Sequence, residues 1–451
     1  MATVELESVI DRALVRGLPA RVVLLGLLVL TLDGFDIQAV AFAAPALVRD
    51  WQIGRAALTP VLAAGLVGLA AGALLLGRIG DLVGRRPTLV GSTLLFATAS
   101  LLCARSHGLA ELAAWRFVTG IGLGAPIPLA TAMIAEFTPR RWRSMAVTIG
   151  VIGVPLGGML GSALAQYLVP HYGWPSIFVA GAVVPAALAL VLYAALPESP
   201  KFLARRDPAD PRLRGLLRQL APAVDWDATR VTFTEPAPGS GLGALLTTTL
   251  RRTTLSLWVA YLSNLLVTFV FFNWLPTVLG AVGLPVAAAI RGALAFNLGG
   301  VAGALLAAAL VLRLGSRPVA IVIGAGSIAT TYLIGLHPVF AAGPAALSWS
   351  LYGVMALAGI CLNGMQVLLY GVAAQAYPTA VRASGLGSCG AVGRVGGLAS
   401  TAAGGVMLQA GFSGSAFFGV LAATLLPTLA AVVALRAHVP PALGPRRDLS
   451  A

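Results

Sequence analysis

Apolar residues run along this chain in long, unbroken stretches separated by short polar ones. Twelve such stretches are present, at roughly 22–42, 57–77, 87–105, 109–135, 145–169, 174–196, 255–280, 285–312, 318–336, 344–374, 383–409 and 413–436. A helix needs about 20 mostly apolar residues to cross a bilayer, so each stretch predicts one transmembrane span. The runs are continuous and do not alternate, which excludes a membrane β-barrel. The expected fold class is an all-α membrane protein with twelve transmembrane helices.

One polar stretch is much longer than the rest. Residues 197–252 hold Lys201, Arg205, Arg206, Arg212, Arg214 and Arg218, with Pro208, Pro211, Pro222, Pro236 and Pro238, and they divide the spans six and six. This predicts an N-terminal six-helix bundle over 1–196, a cytoplasmic linker over 197–252, and a C-terminal six-helix bundle with its tail over 253–451. Short and poor in apolar residues, the linker reads as a tether and not as a separate folded domain. The two halves repeat. Gly84-Arg85-Arg86-Pro87 precedes the third span and Gly315-Ser316-Arg317-Pro318 the ninth. Ala135-Glu136-Phe137-Thr138-Pro139 with Arg143 mirrors Ala374-Gln375-Ala376-Tyr377-Pro378 with Arg382, and at the same offset Gly157-Gly158 falls on Gly396-Gly397. Two parallel six-helix repeats are a transporter architecture, with the substrate site near the midplane between them.

Composition agrees with lipid as the main solvent. Only 10% of the 451 residues are charged and 58% are hydrophobic, against roughly 25% charged in soluble domains. The net charge of +14 raises nucleic-acid binding. The basic residues, however, are scattered between the apolar runs and form no single face, so no nucleic-acid partner is expected. With the N-terminus in the cytoplasm, 24 of the 30 basic residues fall on the cytoplasmic side; Arg49, Arg55 and Arg105 fall outside, and Arg116, Arg291 and Arg394 lie within spans. That bias fixes the expected orientation, with both termini cytoplasmic. Arginine outnumbers lysine so strongly (Lys201 is the single lysine) that a GC-rich bacterial genome, and so a bacterial inner membrane, is expected. Cys103, Cys361 and Cys389 lie in apolar runs without metal or disulfide spacing, and no cofactor or metal is expected. The first 20 residues carry Glu5, Glu7 and Asp11 and no apolar core of the signal-peptide kind.

Three motifs carry a family resemblance. The loop after the second span reads Gly77-Arg78-Ile79-Gly80-Asp81-Leu82-Val83-Gly84-Arg85-Arg86, the fourth span contains Arg116-Phe117-Val118-Thr119-Gly120-Ile121-Gly122-Leu123-Gly124, and Pro197-Glu198-Ser199-Pro200 follows the sixth. Together these resemble the signatures of the major facilitator superfamily, although Leu82 stands where that family has arginine and Leu312 where the second copy's aspartate would align. Within it, the chain is most similar to the aromatic acid:proton symporters. The similar segments are Leu32-Asp33-Gly34-Phe35-Asp36, Asn273-Trp274-Leu275-Pro276-Thr277, Tyr377-Pro378-Thr379-Ala380-Val381-Arg382-Ala383-Ser384-Gly385 and Gly393-Arg394-Val395-Gly396. The resemblance implies uptake of benzoates, hydroxybenzoates and related carboxylates with protons. It also implies a gate latch in which Asp81 bonds nearby arginines and the start of the eleventh helix.

Ionisable residues inside a span cost roughly 2.5–3.5 kcal/mol at the helix centre and are functional candidates by default. Asp33 lies about 17 Å along the first span, near mid-depth, and Asp36 is three residues on, on the same face. They are the expected proton carriers; the alternative is a structural pair, with one Asp on backbone and the other on Arg116. Between residues 236 and 447 there is no Asp or Glu, so a carboxylate carrier must lie in the N-terminal half. Arg394, near mid-depth with no acid in the spans of its own half, is the expected anchor for a substrate carboxylate. Arg116 is the second candidate, and Arg291 lies nearer the outer surface. Phe35, Trp274 and Tyr352 are candidates to stack on an aromatic ring. Asp81, Arg85, Arg86, Glu136 and Arg140 are the expected gating cluster, with Glu136 joining Arg140 or Arg143.

The function expected from all this is a proton-coupled symporter importing a small organic anion, working as a monomer in the lipid bilayer. The competing reading is a proton-coupled exporter of drugs or metabolites, since Gly153-Val154-Pro155-Leu156-Gly157-Gly158 is loosely like an exporter motif. An enzyme is not expected, because no P-loop, HExxH or serine nucleophile elbow is present.

Overall fold

Long apolar helices dominate the computed structural model, which describes residues 2–222, 224, 226, 229–232, 242–247, 249–378, 381–435 and 438–439. The chain opens with β1 (Ala2–Glu5) and α1 (Leu6–Arg12), followed by the first span, α2 (Leu18–Asp50). A 3-10 turn at Arg55–Leu58 leads into α3 (Thr59–Val83) and then α4 (Arg85–Cys103). The fourth span is interrupted between α5 (Leu109–Leu123) and α6 (Pro126–Phe137), and the fifth between α7 (Arg140–Val151) and α8 (Gly153–Tyr172). Proline explains both interruptions: Pro126 and Pro155 have no N–H for the carbonyl four residues back. The sixth span is α9 (Pro175–Ala195).

After α9 come α10 (Pro200–Arg206), α11 (Pro211–Leu220), β2 (Thr229–Thr232) and α12 (Leu242–Leu245). Then follow α13 (Arg251–Ala281), α14 (Val286–Leu314), α15 (Ser316–Gly335), α16 (Val339–Ala342), α17 (Trp349–Ala376) and α18 (Arg382–Gln409). The last span is α19 (Gly414–Thr424) and α20 (Leu426–Ala434), again interrupted at a proline, Pro427. Among the described residues, 11 helices are long and apolar enough to cross a membrane. The expected eleventh span forms as α18, but its many Gly and Ser residues and Arg394 leave it less apolar than the others.

Two compact units are present: Met1–Ala43 with Pro60–Leu164 and Leu168–Pro236, and Ala44–Thr59 with Ala165–Tyr167 and Ala237–Ala451. The boundary differs from the expected halves because the 3-10 turn packs on α18, where Gly405 lies against Thr59. Within the first unit α2 and α8 meet backbone to backbone: a Cβ on Gly34 would strike Val154, and one on Gly157 would strike the Thr31 carbonyl. Lipid gives helices no hydrophobic drive to associate, so such close contacts of small residues carry the packing. In the second unit, α14 and α17 meet in the same way at Gly299, Gly303 and Gly359. The repeat is visible in local structure as well. Gly84 and Gly315 each sit just before a helix with positive φ, 121° and 80°, a conformation that L side chains avoid.

The segment after α9 is more than a tether. Ser199 and Asp210 cap α10 and α11 through their side chains. α11 buries Leu213, Leu216, Leu217 and Leu220, one helical stripe, together with Leu6, Val9 and Ile10 of α1 and Trp226. β1 and β2 pair in parallel, Ala2 opposite Thr229 through Glu5 opposite Thr232. The start of the chain and the described part of the linker up to Thr232 therefore fold together on the first unit.

Candidate functional site

In the first unit, Asp33 and Asp36 are both fully buried on α2. The α2–α8 contact at Gly34 and Gly157 holds this stretch of backbone in place. Arg116 of α5, also buried, donates from Nη1 to Asp36 Oδ2 at 2.8 Å and from Nη2 to the Asp36 carbonyl at 3.2 Å. Gly65 of α3 leaves room for the guanidinium, whose Nη2 lies 3.4 Å from where a Cβ would be. The pair is incompletely satisfied: Asp36 Oδ1 and Arg116 Nε have no hydrogen-bond partner among the described residues. Arg116 is thus engaged by Asp36, the pairing that the sequence left open beside a substrate contact. The Phe35 ring is wedged between Gly161 of α8 and Gly181 of α9.

A second polar cluster surrounds the N-terminus of α4. Arg85 forms an ion pair with Glu136, and Ser199 Oγ donates to the same carboxylate. Glu198 accepts from the backbone N–H of Arg85 at 2.9 Å and of Arg86 at 3.3 Å, a carboxylate placed where the helix dipole favours it. Arg86 donates to the Tyr193 carbonyl, and its guanidinium lies 5.4 Å from that ring's centre. Arg140 pairs with Glu7 and, at 3.4 Å, with Asp11, while Lys201 reaches Glu7 at 2.6 Å. Hydrogen bonds from Lys201 first and Arg140 second hold Glu7 down at about 2. The expectation that Glu136 joins Arg140 or Arg143 is therefore corrected: it takes Arg85, and α1 supplies the acids for Arg140. Asp81 is exposed at the end of α3 and pairs with none of the arginines beside it among the described residues. Sequence reasoning missed Glu7, Asp11, Glu198, Ser199 and Lys201 as cluster members. The signals were present as two acids four apart on α1 and as the Pro-Glu-Ser-Pro motif.

In the second unit, Arg394 of α18 is half-buried and makes no salt bridge among the described residues. Tyr370 of α17 stands edge-on to Tyr261 of α13, with ring centres 5.6 Å apart. Asn264 of α13 donates to Gln366 of α17 at 2.9 Å. The other two ring candidates, Trp274 and Tyr352, also lie in this unit. Trp274 is fully buried against Gly404, and the Tyr352 hydroxyl donates to the Ala288 carbonyl at 3.2 Å. Arg291 is exposed. Asn264, Gln366 and Tyr370 also escaped sequence reasoning, because single polar residues in an apolar helix show no spacing to mark them.

Comparison with known proteins follows the same lines. The profile described as Major Facilitator Superfamily matches residues 26–347. The chain is similar to the gallate transporter of Pseudomonas putida, 36% identical over 97% of this chain and 95% of that one. It is similar to the 4-hydroxybenzoate transporter PcaK of Pseudomonas putida, 35% identical over 96% of this chain and 95% of that one. It also resembles the 3-(3-hydroxy-phenyl)propionate transporter of Escherichia coli (strain K12), 31% identical over 90% and 91%. Among solved structures, a D-xylose-proton symporter superposes with a TM-score of 0.70 at 17% identity, covering 95% of this chain and 100% of that one. At that identity the likeness is one of fold.

Proposed function

The chain belongs to the Major Facilitator Superfamily, and from that premise we propose a proton-coupled symporter that imports a small aromatic carboxylate, a benzoate or hydroxybenzoate. The observation that carries the coupling is the buried group of Asp33, Asp36 and Arg116. A proton on Asp36 cancels the charge that holds Arg116, so protonation and rearrangement of the pair are one event. Asp33, one turn away on the same helix, is the second carrier. The relatives, whose names give gallate, 4-hydroxybenzoate and hydroxyphenylpropionate, supply the substrate class.

Arg394 is the proposed anchor for the substrate carboxylate, since a guanidinium fork matches a carboxylate with two parallel hydrogen bonds. Glu136 with Arg85, Arg86, Arg140 and Asp81 forms the proposed gate region. The inner membrane is the proposed location, both termini cytoplasmic, because 24 of 30 basic residues then lie inside. The working unit is proposed to be a monomer.

Uptake of labelled 4-hydroxybenzoate into proteoliposomes with an inward proton gradient tests the reading. Accumulation that collapses with an uncoupler is the expected result. Accumulation indifferent to the uncoupler removes the proton, and gradient-driven expulsion converts the protein into an exporter.

A further inference from the structure

The second unit holds a pair of amides that is satisfied on one side only. Asn264 is fully buried, and its Nδ2 donates both to Gln366 Oε1 at 2.9 Å and to the Leu362 carbonyl at 3.4 Å. These bonds fix its orientation and leave two atoms over. Asn264 Oδ1, an acceptor, and Gln366 Nε2, a donor, are buried without a hydrogen-bond partner among the described residues. Exchanging the ends of both amides would keep the bond between them but set the Asn264 oxygen against the Leu362 carbonyl, so the orientation given is the one that satisfies both contacts. The Thr268 hydroxyl, one turn along α13, is likewise buried without a partner. Gln366 and Tyr370 are four residues apart on α17, so their side chains are neighbours one turn apart. Tyr370 is 39% exposed, so the cluster sits one side chain beneath an accessible surface.

We infer that the Asn264–Gln366 pair reads a hydroxyl on the substrate ring, as a specificity element separate from the Arg394 anchor. The inference rests on the aromatic-acid reading above. A hydroxyl donates and accepts at once, so a phenol can give its proton to Asn264 Oδ1 and take one from Gln366 Nε2. A carboxylate only accepts and would face the Asn264 oxygen with repulsion. An unsubstituted ring edge satisfies neither atom. A site that hydrogen-bonds a hydroxyl rejects the analogue lacking it, because its own polar groups are then left unpaired.

Equilibrium binding of benzoate, 3-hydroxybenzoate and 4-hydroxybenzoate to the purified full-length protein tests this. Wild-type protein should prefer at least one hydroxybenzoate over benzoate by about ten-fold. Gln366→Met and Asn264→Leu should each erase that ratio, whereas Arg394→Ala should lower affinity for all three acids together. The two amide variants lie on different helices, so loss of fold in one leaves the other to decide. Wild-type protein that binds benzoate and both hydroxybenzoates alike overturns the inference and leaves the atoms to a buried water. Variants that keep the ratio overturn it as well. Wild-type protein that binds no aromatic acid removes the substrate class itself, a failure read before any variant is made.

Discussion

At the residue scale the question is what Arg116 and Asp36 contribute to stability and what to transport. Both are buried, and each has an atom without a hydrogen-bond partner among the described residues. Removing one member of such a pair strands the other charge, at a cost of about 3–5 kcal/mol, while replacing both with apolar residues is often neutral. Arg116→Leu should therefore lower the unfolding temperature in detergent sharply, and Arg116→Leu with Asp36→Leu should recover most of it. The double variant should still fail to accumulate substrate against a gradient. If it unfolds as readily as the single, the pair is not an isolated ion pair; if it accumulates normally, neither residue takes part in coupling. The candidate carboxylates and the lone arginine were legible in the sequence because charge in an apolar run is conspicuous. The neighbours of Phe35, Trp274 and Tyr352 were not, because an aromatic residue suits core and pocket equally, and the glycines and carbonyl that face these rings come from other helices.

At the element scale, α1, α11 and the β1–β2 pair join the linker to the first unit. The sequence marks this segment by its charges and prolines, which read as a tether. Its leucine stripe is short, and its apolar partner, α1, lies some two hundred residues earlier, so nothing local signals the packing. The Glu7 cluster permits a test by pH. A carboxylate lowered from 4.5 to about 2 contributes its stability fully above its unfolded value. That contribution is lost as pH falls from about 4.5 towards 2. Between pH 5.5 and 7.5 it is constant. Glu7→Gln should thus destabilise by on the order of 1–2 kcal/mol after screening by solvent, equally at both pH values, and leave the pH profile of uptake in place. A stability deficit that grows between pH 5.5 and 7.5 would mean that another group titrates through this contact.

At the scale of the whole molecule, the long apolar runs were legible because the bilayer imposes length and apolarity on every span. The second unit's helices show what such a reading leaves open, since their polar residues are single and their facing is set by packing. One asymmetry is complete. No Asp or Glu occurs between residues 236 and 447, so the Arg394 charge has no carboxylate partner within the C-terminal spans. In the repeat, Arg394 corresponds to Pro155, which makes the arginine a feature of one half and not of the shared architecture. A counter-charge supplied by the substrate accounts for both facts. Arg394→Lys keeps the charge but loses the planar fork and should bind more weakly, and Arg394→Ala should lose about 1.5–3 kcal/mol, roughly ten- to hundred-fold in affinity. The measurement is equilibrium binding of 4-hydroxybenzoate to purified protein, taken apart from transport so that a gating defect does not pass for a lost contact. Unchanged affinity in a folded Arg394→Ala protein would move the anchor elsewhere. Arg116 is already engaged by Asp36 and Arg291 is exposed, so that result would also require the Asp36 pair to open when substrate binds.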